Sequence, residues 1–130
     1  MARQPRFEDV LGPLAAAITR EVVELGETGV AEVAATVSRS QGREYAYTTI
    51  MTVMSRLYEK GVLLRDRRGR QFVYRAAAPE AELIDRLSGV AVERLLDRYG
   101  TAALRQFAVR LADLDPETRQ RLTALAAEDE

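Results

Sequence analysis

Apolar residues recur at helical spacing in two stretches near the start of the chain. In the first stretch the apolar residues are Leu14, Ile18, Val22 and Leu25, with successive spacings of four, four and three positions. Pro13 is typical of a first helical position and Gly26 of a helix end, so this stretch predicts an amphipathic helix. The second stretch predicts a brief helix, and its apolar positions are Val30, Val33, Ala34 and Val37. The residues just before it, 28–30, are predicted to form a short strand fragment.

A third helix is predicted between residues 45 and 61, and its two faces differ in chemistry. The buried face has apolar residues at positions i, i+3, i+4 and i+7, namely Ile50, Val53, Met54 and Leu57. The opposite face presents Thr48, Thr52, Ser55 and Glu59, with Met51 and Arg56 beside them. Small hydroxyls allow close approach to a groove and bond either bases or phosphates, whereas an ordinary solvated face carries Glu and Lys pairs.

Two short apolar runs follow, at residues 62–65 and 71–75, and they flank a polar segment that contains Gly69. This pattern predicts a β-hairpin. Four arginines lie on or beside the tip: Arg65, Arg67, Arg68 and Arg70. Like charges crowded on one loop repel one another, so the hairpin tip is expected to meet an anion.

From Pro79 onward the pattern is wholly helical, which divides the chain into residues 1–78 and 79–130. Three helices without a sheet to cover do not make a deep core of their own, so they pack on the first part or on a second chain. Intrachain packing, a dimer seam and a ligand pocket are all compatible with the pattern, and a dimer seam is the preferred interpretation. The predicted seam residues are Leu83, Leu87, Leu95, Leu96, Leu104, Phe107, Leu111 and Leu122.

The composition removes most enzyme chemistry. The 130 residues, enough for one domain, include no Cys and no His, so thiolate nucleophiles, Cys-ligated metals and the usual general base are absent. The clustered carboxylates Glu80, Glu82 and Asp85 begin a helix, where negative charge is favoured in any case. The sequence therefore predicts a binding protein with no cofactor, no metal site and no catalytic residues.

The formal net charge of −1 conceals a strongly basic segment. Residues 39–75 carry nine basic and three acidic side chains, whereas the helical segment from residue 79 is acidic. Arginine binds phosphate and guanine in bidentate fashion, although codon bias is the preferred explanation of the arginine-to-lysine ratio. No apolar run reaches the length of a membrane span and the first residues lack a signal-peptide core, so a cytoplasmic protein without membrane insertion is expected.

The order helix, short strand, helix, hydroxyl-faced helix and arginine-tipped hairpin is typical of a winged helix-turn-helix domain. The predicted fold class is therefore mainly α with a small β-hairpin, followed by a helical dimerisation segment. In this architecture the hydroxyl-faced helix enters the major groove of DNA, and the wing lies along the backbone or an adjacent minor groove.

At these residues the sequence also resembles the BlaI/MecI/CopY-type penicillinase-repressor family of bacterial transcription regulators. The matching strings are LGPL (11–14), VAEV (30–33), AYTTIMT (46–52), RLYEKG (56–61) and GRQFVY (69–74). The resemblance implies a homodimeric repressor that reads a two-fold-related double-stranded operator. It implies DNA contacts by Thr48, Thr49, Thr52, Arg56 and Arg70, to which charge alone adds Arg67 and Arg68.

The sequence departs from the family pattern at several positions. Family members are often released by a sensor protease that cuts an Asn-Phe bond, and the corresponding pair here is Gln106-Phe107. Ala15 and Val23 replace the Glu and Trp typical of the first helix, which indicates a divergent member. The copper-responsive branch carries C-terminal cysteines, which this sequence lacks.

Several alternative interpretations remain open. Thr48, Thr49 and Thr52 could serve as a helix cap and exposed filler, and Arg56 could pair with Glu59. Aromatic side chains are assigned to packing: Tyr45, Tyr47 and Tyr58 to the core or an interface, and Phe72 and Tyr74 to anchoring the wing. A winged-helix module that binds protein instead of DNA is the alternative function. Such a module predicts an apolar third helix and no basic tip.

Overall fold

The computed structural model describes residues 4–128, which form seven helices and one antiparallel hairpin. The element bounds are α1 Phe7–Val10, α2 Pro13–Leu25, α3 Val30–Gln41, α4 Tyr47–Glu59, β1 Leu63–Arg68, β2 Gln71–Ala76, α5 Glu80–Tyr99, α6 Thr101–Ala112 and α7 Pro116–Glu128. The predicted fold class, a mainly α winged helix-turn-helix protein, is confirmed. The sequence predicts a short polar N-terminal arm at residues 1–11 with apolar anchors that include Phe7; the structure buries Phe7 as expected and adds the short helix α1, which was not predicted.

Residue contacts divide the chain into two units, which we call unit 1 (Met1–Gly89) and unit 2 (Val90–Glu130). The sequence analysis divides the chain at residue 78, whereas the packing divides it within α5. The reason is that Leu83 and Ile84, in the first turns of α5, are buried in the core of unit 1.

The core of unit 1 is built from the inward faces of α2, α3 and α4 together with the base of the hairpin. The predicted apolar faces account for most of it: Ile18 and Val22 from α2, Val33 from α3, and Ile50 and Met54 from α4 are fully buried. These side chains fix α4 against the other helices, so the opposite face of α4 points to solvent.

The hairpin is held to the helices by backbone hydrogen bonds. Strand β2 forms an isolated bridge with Thr28, in which Thr28 N–H donates to the Tyr74 carbonyl at 2.9 Å and Tyr74 N–H donates to the Thr28 carbonyl at 2.8 Å. Of the strand fragment predicted at 28–30, only Thr28 pairs, because Gly29 caps α3 and Val30 begins it. The tip is shorter than expected, because Arg68 pairs with Gln71 and only Gly69 and Arg70 remain in the turn, where Gly69 has a φ of +66°.

Unit 2 contains the end of α5 together with α6 and α7. Among its described residues, 90–128, no apolar side chain is buried. Its large exposed apolar residues include Leu95, Leu104, Phe107, Leu111 and Leu122. Within residues 4–128, no helix combines the length and the apolar character needed to cross a membrane.

Candidate nucleic-acid interface

Helix α4 presents the hydroxyl-bearing face that the sequence predicted. Thr48, Thr49, Thr52 and Arg56 are all exposed, while Ile50 on the opposite side is fully buried. The exposure follows from the amphipathic pattern, because burial of the apolar face of α4 leaves its hydroxyl face in water. Four of the seven predicted DNA-contacting residues therefore lie together on one solvent-facing surface.

The three threonines do not cap α4. Its N-cap is Ala46, which makes no side-chain cap hydrogen bond. Thr52 instead donates its hydroxyl to the Thr48 carbonyl one turn earlier, at 2.9 Å. The alternative interpretation of these threonines as helix caps is therefore wrong for this helix.

Two arginines at the edges of this surface have no acidic partner within residues 4–128. Among residues 4–128, neither Arg56 on α4 nor Arg70 at the hairpin tip forms an ion pair. The alternative pairing of Arg56 with Glu59 is not formed. Both guanidinium groups are exposed and available to an anion such as a DNA phosphate.

The other arginines of the hairpin are already engaged within the chain. Arg68 makes a two-pronged contact with the Glu27 carboxylate, at 2.7 and 3.3 Å, and Arg75 pairs with Asp66 at 2.9 Å. Arg67 donates to the Gly69 carbonyl at 3.3 Å. The expectation of four mutually repelling arginines at the tip is thus too simple, because Glu27, which is distant in sequence, neutralises one of them.

Arg65 has a structural environment that charge alone did not reveal. Its guanidinium carbon lies 4.0 Å from the ring centre of Tyr58 on α4 and 4.1 Å from that of Phe72 on β2. Its Nη1 also donates to the Tyr74 hydroxyl at 3.4 Å. Cation–π contacts of this kind join the wing to α4, so Arg65 positions the hairpin beside the hydroxyl face.

A groove of about 670 Å³ runs between the start of α3, the exposed side of α4 and the hairpin. Its lining residues include Glu32, Tyr47, Met51, Thr52, Ser55, Arg56, Glu59, Arg70 and Phe72. The groove therefore joins one of the predicted threonines to both unpaired arginines.

Two large apolar side chains of α4 line this groove with much of their surface exposed. Tyr47 was expected to pack in the core or in an interface, but 49% of its surface is exposed, and Met51 is 41% exposed. Met51 directly follows the buried Ile50 and was expected on the exposed side of α4. Tyr47 lies three residues before Ile50, so helical spacing places it on the buried side and gave no signal of its exposure. Phe72 is also partly exposed, whereas Tyr74 is buried and anchors the wing as expected.

The predicted seam residues are distributed over both units. Leu83 is only 1% exposed in the core of unit 1, so it has no surface to offer a second chain. Leu87 is half-buried against the same core and Leu96 is half-buried in unit 2. The remaining five seam residues are exposed in unit 2: Leu95, Leu104, Phe107, Leu111 and Leu122.

The Gln106-Phe107 pair lies inside helix α6. The Gln106 side chain accepts a hydrogen bond from Arg110 at 2.7 Å. Within the described residues, no group of three or more acidic side chains is placed to hold a metal ion.

The family model of the penicillinase repressor matches residues 11–128, which is most of the chain. A comparison with curated protein sequences finds no match. The family consists of transcription regulators and not of enzymes.

Solved structures with a similar fold include the complex structure of hsRosR-S1, at 13% identity and a TM-score of 0.51, covering 95% of this chain and 94% of that chain. RosR of H. salinarum matches at 15% identity and a TM-score of 0.49, covering 92% and 93%. A homodimeric winged helix-turn-helix DNA-binding domain from Mycobacterium bovis, a possible ArsR-family transcriptional regulator, matches at 23% identity and a TM-score of 0.44, covering 75% and 95%.

Proposed function

This chain belongs to the penicillinase repressor family of winged-helix DNA-binding transcriptional regulators, and from that premise we propose that it represses transcription as a homodimer on a two-fold-related operator. In this proposal α4 enters the major groove, and the wing lies on the backbone or in the adjacent minor groove. DNA is contacted by residues 1–78, and the helices after residue 79 provide the dimer seam.

The observation that carries this proposal is the surface formed by α4 and the hairpin tip. Thr48, Thr49 and Thr52 supply small hydroxyls for bases or phosphates, and the unpaired Arg56 and Arg70 flank them. Arg67 and Arg68 extend this surface along the wing. In this proposal Arg68 contributes less than Arg70, because its charge is already balanced by Glu27.

The apolar surface of unit 2 supports the proposed dimer. Its described helices bury no side chain within the chain, although Leu104 and Phe107 are large apolar residues. Apolar surface of this extent in a soluble protein marks an interface, and a two-fold axis lets the same face pair with itself. Two chains paired in this way would present two α4 helices to the two halves of an operator.

If repression is released by cleavage of the Gln106-Phe107 bond, helix α6 must first unfold locally around that bond. Proteases bind substrates in extended form, whereas this bond is inside α6, so α6 must open locally before a sensor protease can cut. We propose that the bond is protected in the folded chain. Limited proteolysis followed by mass spectrometry tests this: cleavage at 106–107 before any other site would contradict the protection.

Binding of the purified full chain to its own promoter fragment tests the main proposal. We expect a preference for this fragment over random DNA and an affinity that falls steeply with salt, because several phosphates are neutralised per chain. Equal affinity for both DNAs would contradict sequence-specific repression. A protein that binds no DNA at all would favour the alternative, a protein-binding winged-helix module.

A further inference from the structure

Three apolar side chains lie in the groove beside the hydroxyl face of α4. Tyr47 and Met51 are one helical turn apart on α4, and Phe72 lies across from them on β2. Tyr47 and Met51 are the two most exposed large apolar residues among the described residues of unit 1. We call these three residues the apolar strip.

An exposed apolar strip needs an explanation, because water-exposed apolar surface costs roughly 25 cal/mol per Å² relative to burial. Its place inside a groove, next to the residues proposed to bind DNA, indicates a ligand with an apolar group. In the major groove of duplex DNA, the apolar group presented at the base edges is the C5-methyl of thymine.

We propose that Met51, assisted by Tyr47, reads a thymine methyl in the operator, so that the operator contains an A·T pair at the position facing the apolar strip. This inference rests on the proposed function, and it assigns a base preference to one position of the site. Thr52, which lines the same groove, is adjacent to Met51 and offers a hydroxyl to the neighbouring base edge.

Two carboxylates in the groove indicate that the apolar strip contacts the edge of a base and not a phosphate. Glu32 and Glu59 line the groove, and the Glu32 carboxylate accepts a hydrogen bond from the Thr28 hydroxyl at 2.9 Å. Carboxylates repel phosphates but accept hydrogen bonds from the amino groups of bases. Phosphates are therefore directed to Arg56 and Arg70, which have no acidic partner among the described residues.

The exposed apolar residues by themselves also suit a protein partner, the occupant expected for a protein-binding module. The pair of unpaired arginines in the same groove favours a polyanion that carries apolar groups, and duplex DNA has both features. The two occupants give different results in the experiment below.

The test begins with a duplex selected from a random library by binding to the full chain. Each thymine of that duplex is then replaced, one at a time, by deoxyuridine, which lacks only the C5-methyl. We expect one replacement in each half-site to weaken binding about fourfold, the loss that corresponds to one buried methyl group. Replacements elsewhere should leave the dissociation constant unchanged.

Variants of Met51 test whether the weaker binding of the uracil duplex is caused by the apolar strip. Met51→Ala should bind the thymine and uracil duplexes equally, whereas Met51→Leu, which keeps an apolar side chain, should retain the difference. Leu64→Ala is the matched control, because Leu64 is 39% exposed on β1 and does not line the groove. It should retain the full uracil effect.

The possible outcomes separate this inference from the proposed function. If the chain binds a selected duplex and no uracil replacement matters, or if Met51→Ala keeps the uracil effect, the inference is wrong while DNA binding stands. Selected duplexes without a recurrent A·T pair would also overturn it. If no duplex is selected, both the inference and the proposed function fail.

Discussion

The two units of this chain use similar proportions of apolar residues in opposite ways. Unit 1 buries its apolar faces around Ile18, Ile50 and Leu63 and leaves hydroxyls and arginines on its surface. In unit 2, residues 90–128 bury no apolar side chain, and leucines such as Leu104 and Leu125 are more than half exposed. Amphipathic helices are present in both units. Periodicity alone therefore does not decide whether the apolar face of a helix is buried within its own chain.

The two units differ in how far burial of apolar side chains within the chain stabilises them. Unit 1 has helices on several sides of one core and a hairpin that closes it. The helices of unit 2 gain little from burial within the chain, and in the proposed dimer a second copy would supply the missing burial.

The largest effect is expected from a charge placed in the apolar surface of unit 2. Phe107→Asp puts a carboxylate where the proposed seam excludes water, and an unpaired buried charge costs about 3–5 kcal/mol. We expect the monomer–dimer dissociation constant to rise more than a hundredfold in sedimentation equilibrium. Arg105→Gln is the control and should leave it unchanged. A Phe107→Asp protein that dimerises normally would show that this face is not the seam.

The next effect concerns Leu83, which the sequence predicted in the dimer seam and the structure buries in the core of unit 1. Leu83→Ala should lower the free energy of unfolding by about 2–5 kcal/mol, because it leaves a cavity in the core of unit 1. Asp85→Ala, on the exposed side of α5, should change it by less than about 0.5 kcal/mol. Denaturant titration measures both. A Leu83→Ala protein of normal stability that fails to dimerise would restore Leu83 to the seam.

Within unit 1, the arginines of the wing should differ in their effect on DNA binding. Arg70→Ala should weaken binding about fivefold per chain at 0.1 M salt and reduce the slope of log K against log salt by about 0.9 per chain, the amount for one phosphate contact. Arg68→Ala should have a smaller effect, because Glu27 already balances its charge. Titrations at several salt concentrations measure both slopes. Equal losses for the two variants would contradict this ranking.

The smallest effect concerns the Glu27–Arg68 pair itself. Glu27→Gln frees Arg68 for a phosphate, so DNA affinity should rise about twofold to threefold and the salt slope should steepen. Because both side chains are about half exposed, the free energy of unfolding should change by less than about 1 kcal/mol. A fall in DNA affinity would instead indicate that the ion pair holds the wing in its binding position.

Much of unit 1 could be predicted because its elements are local. Pro13 and Gly26 bound α2 as expected, and the buried face of α4 includes Ile50, Met54 and Leu57. The hairpin also followed from two apolar runs around a glycine. The exposed threonines could be found for the same reason, since a helix that buries one face must expose the other.

Other features depend on residues that are distant in sequence. Glu27 reaches Arg68 across 41 positions, and Arg65 lies between Tyr58 and Phe72 only because the hairpin folds back onto α4. A sum of charges along the chain treats all of these arginines alike. It therefore overestimates the charge that the wing has available for DNA.

The sequence by itself determined the order of elements, the amphipathic faces and the family of regulators, because each rests on periodicity or on contiguous strings of residues. The folded structure was needed to show which arginines among residues 4–128 lack an acidic partner, that Tyr47 is exposed beside the threonines, and that Leu83 belongs to the core. Those outcomes depend on which surfaces meet when the chain folds, and a one-dimensional pattern contains no distances between surfaces.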